Sequence, residues 1–268
     1  MTRAGLWSGA DLTRTYPAGG GPGASAADRR PVWLARTHQQ FAAALTGSPA
    51  YPCPFGTQAQ KRHENWFAAL DSADGTQEMR ELARNIRTFR DLSQASRARQ
   101  SLIVFVGPPE PERDPVPGSD PALGHDHARF WNILSALSEC DPDPWPADHP
   151  HDVRHPDWQW CFAGEPWFVF AASPANRARR SRRLCDCLTL VLQTMNVFEG
   201  LIEQERTWLS TKERIRAQLR QYDAVPPHPH LGHPAEPPEY RWRHALLPDD
   251  QGIRDPAACP FRPPVRRG

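Results

Sequence analysis

Lysine is nearly absent from the chain, which has 32 basic residues but lysine only as Lys61 and Lys212. The acidic residues number 31, so the formal net charge is +1 when the histidines are neutral. A net charge so close to zero gives no long-range attraction to nucleic acid or to an anionic membrane surface. We therefore expect neither nucleic acid nor a membrane among the partners.

The sequence also lacks long hydrophobic runs. Residues Met1–Gly9 do not form the apolar segment of a signal peptide, and no stretch approaches the roughly 18 apolar residues of a membrane span. With 268 residues the chain can bury a core without disulfide bonds. Its six cysteines are therefore expected to be free thiols in a reducing, cytoplasmic setting.

Several motifs of known chemistry are missing. No Cys-x-x-Cys pair is present, and Cys185-Asp-Cys187 alone makes a poor zinc site. No Cys-x-x-Cys-His segment is present either, so any haem would be held without covalent attachment. Gly-x-Ser-x-Gly is absent and the run Gly19–Gly21 follows no strand, which excludes a nucleophile elbow and a phosphate-binding loop.

Proline and tryptophan are abundant, with 30 and 10 residues. So many prolines impose turns and limit the length of uninterrupted elements. The glycine- and proline-rich run Tyr16–Pro22 can bury little surface, so residues 1–30 are expected to be a flexible lead-in. Residues 31–268 are expected to form a single domain.

Hydrophobic spacing predicts an α+β fold, with a mostly antiparallel sheet flanked by helices and long proline-rich loops. From Thr76 the apolar residues recur at steps of three and four, as on one face of a helix. The segment Ser101–Val106 is a continuous apolar run, as in a buried strand. The other predicted helices are Val32–Leu45, Thr57–Leu70, Phe130–Leu137 and Phe198–Tyr222, and the other predicted strands are Trp158–Phe162, Trp167–Ala171 and Leu188–Leu192.

Nine of the eleven histidines fall into two groups. Neutral imidazoles that converge on one point can ligate a metal ion, whereas histidines in loops are commonly solvated. In the dense segment His228–His233 both interpretations stay open. The basic run Arg177–Arg183 indicates either a phosphate-bearing partner or, more commonly, a solvated face. The first group is His125, His127, His149, His151 and His155, and the second is His228, His230, His233 and His244.

Several segments, in chain order, resemble the YqcI/YcgG family over roughly residues 50–261. The most specific is Trp158-Gln-Trp-Cys-Phe-Ala-Gly-Glu-Pro-Trp-Phe-Val-Phe170. Tyr51-Pro-Cys-Pro-Phe-Gly56 precedes it, and Pro226-Pro-His-Pro-His-Leu-Gly232 follows it. Further matching segments are Ser101–Val106, Phe130–Leu134, Asp143–Pro146, Val197–Leu201, Leu247–Asp250 and Cys259–Phe261.

The resemblance implies a cytoplasmic haem b monooxygenase that hydroxylates a guanidine nitrogen of L-arginine. The product would be N(omega)-hydroxy-L-arginine, made for antibiotic biosynthesis of the D-cycloserine type. Such an enzyme needs an external electron donor or peroxide, and a homodimer is a further expectation. Two other classes stay open: a non-catalytic haem-binding or haem-sensing protein, and a non-haem metalloenzyme that uses His228, His230 and an acid such as Asp249.

Within the haem hypothesis His228 is the first choice for the axial iron ligand. It falls in the family-like segment, where flanking prolines would fix its position. A neutral imidazole on the iron suits oxygen binding or peroxide chemistry. The alternatives are His230, His155 and His63, with Cys53 and Cys161 as thiolate candidates.

Acidic and basic side chains are expected to hold the substrate. Glu165 is assigned to the substrate guanidinium, because a permanent cation is best bound by a carboxylate. Asp249 and Asp250 are candidates for the amino end of the substrate. Arg180 and Arg182 are candidates for the substrate carboxylate or for a haem propionate.

Overall fold

A six-stranded β-sheet forms the centre of the protein. The structure, a computed structural model, describes residues 5–13, 30–71, 75–107, 121–200, 205–232 and 240–263. The strands are β1 Leu6–Ser8, β2 Trp66–Leu70, β3 Leu102–Val106, β4 Cys161–Phe162, β5 Glu165–Ala172 and β6 Leu188–Thr194. Their spatial order is β1-β2-β3-β6-β5-β4. Four of the five neighbouring pairs are antiparallel, which confirms the predicted α+β fold with a mostly antiparallel sheet.

Helices flank the sheet, and their sequences explain where they form. In the fourth helix, Thr76–Gln94, buried residues from Met79 to Phe89 recur every three or four positions, as predicted. The third begins with proline, which suits the first position of a helix because its missing N–H has no partner there. The α-helices of the described residues are α1 Gly9–Thr13, α2 Leu34–Thr46, α3 Pro54–Lys61, α4 Thr76–Gln94, α5 Pro121–Glu139 and α6 Glu205–Tyr222.

One pair of strands, β2 and β3, is parallel. Parallel neighbours cannot be joined by a tight hairpin, and here α4 makes the crossover between them. Both strands are covered on their two faces, so their sequences are continuous apolar runs rather than alternating patterns. All five residues of β3 are buried.

The two faces of the sheet carry separate hydrophobic cores. One face packs on α4 and α5, with Phe89, Phe130 and Trp167 among its largest buried side chains. The other packs on α2, where Phe41 meets Phe67 and Phe105 edge to face. On this second face, the part formed by Phe168 and Phe170 of β5 borders a cavity, described below.

The predicted helix Thr57–Leu70 is confirmed only as far as Lys61 and is wrong beyond it. Helix α3 ends at Lys61, and His63 takes a positive φ of 56°, a conformation that ends a helix. The next residues form β2, whose run Trp-Phe-Ala-Ala-Leu is apolar on both faces. A short apolar run of this kind cannot be assigned to strand or helix by periodicity alone.

The sheet begins inside the segment expected to be a flexible lead-in. Leu6–Ser8 pairs with β2 as the edge strand, and Leu6 is only 3% exposed. The glycine-rich run at residues 16–22, on which that expectation was based, lies outside the described residues. The strand expected over Trp158–Phe162 is also shorter, because only Cys161 and Phe162 pair with β5.

We expect Leu6→Ala to lower the free energy of unfolding by about 2–3 kcal/mol, because it deletes buried atoms of the core. Denaturant unfolding measures the change. Ile253→Ala is the control, since that side chain is 72% exposed and its loss should cost less than about 0.5 kcal/mol. Equal stabilities of the two variants would contradict the docking of β1 on the sheet.

Candidate active site

A cavity of about 640 Å³ lies between the sheet, α3 and α6. This volume falls within the roughly 300–1,000 Å³ of small-molecule and cofactor sites. The wall is mostly apolar, as a large flat ligand requires. Aromatic rings that line it include Tyr51, Phe55, Phe168, Phe170, Phe198 and Trp208.

One face of α6 supplies the outer wall of the cavity. Trp208, Lys212, Ile215 and Leu219 follow at steps of four, three and four residues, so they share that face. Arg216 also lines the cavity, next to Ile215. Cationic side chains therefore interrupt an apolar stripe on this helix. From the sequence, the stripe predicted a helix and nothing more. That interruption is the signal by which the sequence could have indicated a site.

Cys53 is the only cysteine among the described residues of the cavity wall. It occupies the N-cap position of α3, directly before Pro54. Burial raises the pKa of its thiol, while the backbone amides of Phe55 and Gly56 act in the opposite direction. Backbone N–H groups at a helix N-terminus favour a thiolate, so this position can supply a negatively charged sulfur once a metal replaces the proton.

His244 is the only histidine among the described residues of the cavity wall. It ends a short 3-10 turn, Arg241–His244. Burial and the Arg182 guanidinium lower its pKa to about 4, while a contact with the His230 backbone acts in the opposite direction. The ring is therefore neutral at pH 7 and can donate a nitrogen lone pair to a metal. His244 belongs to the second histidine group of the sequence, but no role was predicted for it.

Arg182, a candidate for the substrate carboxylate or a haem propionate, lines the cavity. Its guanidinium lies over the Phe170 ring and donates to the carbonyl oxygens of Ala171 and His244 at 3.5 and 3.2 Å. Burial lowers its pKa to about 10, so it stays protonated at pH 7. Arg180, the second predicted arginine, instead lies over the Tyr222 ring and is not part of the wall.

His228 and His230 are buried side by side, with ring centroids 4.4 Å apart, but neither lines the cavity. His228 Nδ1 accepts from the His230 amide at 3.1 Å, and His230 Nε2 accepts from the Arg254 amide at 2.9 Å. Burial lowers the pKa of His228 to about 3 and that of His230 to about 4. His233 lies outside the described residues.

Apart from Cys53, the other predicted iron ligands also lie away from the cavity. His155 is exposed and 3.9 Å from Asp157, and His63 is exposed at the end of α3. Cys161 is buried in β4, where its thiol donates to the Gln159 carbonyl oxygen. Burial raises the pKa of this thiol to about 12.

Glu165 is directed at α4 instead of the cavity. Its Oε2 accepts from Gln94 Nε2 at 2.6 Å, and it does not line the cavity. Burial raises its pKa, while Gln94 and the charge of Arg90 lower it. The structure therefore places this carboxylate where it joins α4 to the β4–β5 turn.

Asp249 binds backbone amides rather than facing the cavity. Its carboxylate accepts from the amides of Arg177, Ala178 and Arg179, each at 2.8 Å. These bonds, with the Asn176 side chain, hold its pKa below the usual value against the effect of burial. The neighbouring Asp250 is exposed and accepts from the Gly252 amide at 2.7 Å.

The side chains named for a non-haem metal site do not converge. Asp249 is committed to the amides, and the described part of the chain contains no group of three or more His, Cys, Asp or Glu side chains arranged to hold a metal ion. All six cysteines are free thiols, as expected. None of the described helices is long and apolar enough to cross a membrane.

Comparison with known proteins identifies relatives over most of the chain. The model of the YqcI/YcgG family matches residues 41–262. YqcI of Bacillus subtilis (strain 168) is 31% identical over 211 residues, which cover 79% of this chain and 80% of YqcI. YcgG of the same organism is 28% identical over 232 residues, which cover 86% of this chain and 88% of YcgG.

A third relative has a name that states a reaction. The Streptomyces lavendulae protein named "Putative N(omega)-hydroxy-L-arginine synthase DcsA" is 25% identical over 234 residues. The match covers 85% of this chain and 84% of that protein. No solved structure matches the chain.

The buried histidine pair makes stability depend on pH. An unfolded histidine takes up a proton near pH 6.5, whereas folded His228 does so only near pH 3. Its contribution is therefore complete above pH 6.5 and is lost as the pH falls toward 3. Burial dominates this shift, and His230, Arg179 and Arg254 add to it while Asp250 opposes it.

The free energy of unfolding of the unaltered protein should fall between pH 7 and pH 5. In His228→Gln we expect this fall to be smaller by about 1–2 kcal/mol. Denaturant unfolding at the two pH values measures this difference. His155→Gln is the control, because that ring is exposed. A pH dependence that is the same in all three proteins would contradict the assignment.

Proposed function

Because this chain belongs to the YqcI/YcgG family, we propose that it is a haem-dependent monooxygenase that hydroxylates a guanidine nitrogen of L-arginine. The name of the Streptomyces relative supports the reaction, since its product carries one oxygen more than L-arginine. The observation that carries the proposal is the apolar cavity of about 640 Å³ with Cys53 and His244 on its wall. A place in antibiotic biosynthesis is part of the same proposal.

The residues of the cavity fit a haem group. Haem is large, flat and mostly apolar, and its two propionates need cationic partners. The aromatic wall suits the ring, and Arg182 is a cation suited to a propionate. When bound, the haem supplies the iron chemistry that activates oxygen or peroxide. The electrons come from a separate donor protein when oxygen is the oxidant.

We propose that Cys53 would hold the haem iron, with His244 as the alternative. The amides at the start of α3 favour a thiolate at this position, and a thiol that binds a metal loses its proton. His228, the first choice from sequence, is not part of the wall, so Cys53 replaces it in the proposal. The phenol of Tyr51, beside this sulfur, stays neutral because burial raises its pKa. Its hydroxyl donates to the Ser181 carbonyl oxygen.

The substrate guanidine meets aromatic rings rather than a carboxylate on the cavity wall. Neither Glu165 nor Asp249 is on the wall, so neither can pair with the guanidinium there. Planar guanidinium groups stack on aromatic faces, which Phe168, Phe198 and Trp208 provide. The same apolar rings exclude water from the reacting nitrogen.

The first prediction of this proposal concerns binding and turnover. Protein reconstituted with haem should show a Soret band that shifts saturably on titration with L-arginine. Turnover should add one oxygen to the substrate, measured by mass spectrometry. Absence of a Soret band would contradict the haem assignment. A band that no guanidine compound shifts would contradict the enzyme and favour a haem sensor.

The second prediction separates the iron ligands. Cys53→Ala should abolish the thiolate signature in the spectrum of the ferrous carbon monoxide complex and lower haem occupancy. His228→Ala, the control, should keep both, because its ring does not line the cavity. Circular dichroism shows whether each variant folds. Unchanged spectra in Cys53→Ala, with loss of haem in His244→Ala, would move the ligand to His244.

A further inference from the structure

Five arginines of the described residues line the cavity. Arg179 lies near Asp223, and the other four come from different parts of the chain. Arg99 precedes β3, Arg182 lies between β5 and β6, Arg216 is on α6, and Arg241 begins the turn that ends at His244. Elements that are distant in sequence therefore direct positive charge to one place. The formal net charge of the chain, +1, gives no sign of this concentration.

Neutral oxygens hold these guanidinium groups in place. Arg99 donates to the Val197 carbonyl oxygen. Arg216 donates to the Leu231 and Gly232 carbonyl oxygens, both at 2.5 Å. Arg182 donates to the Ala171 and His244 carbonyl oxygens, as described for the cavity wall. Arg241 donates to the Gln159 side-chain oxygen at 2.6 Å. Neutral acceptors orient a cation but leave its charge uncompensated.

Carboxylates do not balance these charges. The described residues that line the cavity include no Asp or Glu. None of the four arginines lies within 4 Å of a described carboxylate, whereas Arg179, also on the wall, is 4.0 Å from Asp223. Burial lowers the pKa of Arg182, Arg216 and Arg241, and the more distant carboxylates Asp223 and Asp157 offset only part of this effect, at Arg182 and Arg241 respectively.

A bound haem would compensate part of this charge. Its two propionates can pair with two of these four arginines, which leaves the other two arginines to meet the substrate. An uncompensated buried charge is costly, so a ligand that brings negative charge is favoured over one that adds a cation. L-arginine has a net charge of +1, and its guanidinium finds no described carboxylate on the wall.

We propose that the preferred substrate of this reaction is an anionic guanidine compound rather than free L-arginine, such as an arginine whose α-amino group is acylated by a dicarboxylic acid. The inference rests on the proposed function, because it concerns the substrate of the same cavity. The two carboxylates of such a molecule would meet the arginines that the haem leaves unpaired. Its guanidine would lie against the aromatic rings. Free L-arginine would bind more weakly.

The test is a series of compounds with one guanidine and decreasing net charge. Agmatine, L-arginine, 4-guanidinobutyrate and N-succinyl-L-arginine differ in this respect at pH 7. Isothermal titration calorimetry on the haem-loaded protein measures their affinities. We expect the dissociation constant to fall along the series, by about tenfold or more between L-arginine and N-succinyl-L-arginine, and the difference to shrink at high salt.

A matched pair of variants on α6 localises the effect. Arg216→Gln removes a cation from the wall and should reduce the preference for N-succinyl-L-arginine over L-arginine by about fivefold or more. Arg214→Gln makes the same chemical change at an exposed position of the same helix, outside the wall, and should leave the preference unchanged. An equal effect of both variants would overturn the assignment to the cavity.

The outcomes separate this inference from the proposed function. Guanidine compounds that bind with no dependence on charge, or most tightly as cations, would overturn the inference and leave the proposed function standing. If no guanidine compound binds but N-succinyl-L-leucine does, the proposed reaction fails while the preference for anions is supported. If neither class binds, both fail.

Discussion

Two carboxylates, Asp223 and Asp249, hold the segment that brings arginines to the cavity. Asp249 accepts from three consecutive amides, and Asp223 accepts from the amide and hydroxyl of Ser181, both at 2.7 Å. Asp249 comes from the C-terminal part of the chain, and Asp223 directly follows the end of α6. Charged acceptors make strong hydrogen bonds in a buried setting, so this clamp joins three distant segments and fixes the position of Arg182.

The clamp also explains why predicted substrate residues have a structural role. From the sequence, Asp249 was a candidate for binding the amino end of the substrate. In the structure the negative charge is used within the protein, where it accepts hydrogen bonds from three backbone N–H groups of the loop. The acids thus stabilise the loops behind the cavity, and cations are left on its wall.

The predictions from sequence were most successful where the hydrophobic pattern was long. The 19 residues of α4 repeat their apolar positions over several turns, and the strand at Leu102–Val106 is bounded by clear turn residues. The pattern failed at Trp66–Leu70, where five apolar residues fit a helix or a strand. Only the pairing with β1 and β3, and the break at His63, make this segment a strand.

The candidate site was only partly predictable. Arg182 was named from the sequence and lines the cavity, and Cys53 was among the thiolate candidates. His228 was favoured because flanking prolines were expected to fix its position, but it lies in a buried pair behind the wall. Rigidity is readable from local sequence, whereas the direction in which a side chain faces depends on the elements packed around it. His244 illustrates this, since nothing in its neighbourhood marks it.

The amino-acid sequence by itself determined the fold class, the main helices and strands and the family, because these follow from local hydrophobic periodicity and from short motifs in order. Only the tertiary structure decided which charges meet. Arg99, Arg182, Arg216 and Arg241 follow one another at intervals of 83, 34 and 25 positions along the chain, yet they surround one cavity. Electrostatic interactions act over distances in space, so their balance at a site is set by packing and cannot be read from composition.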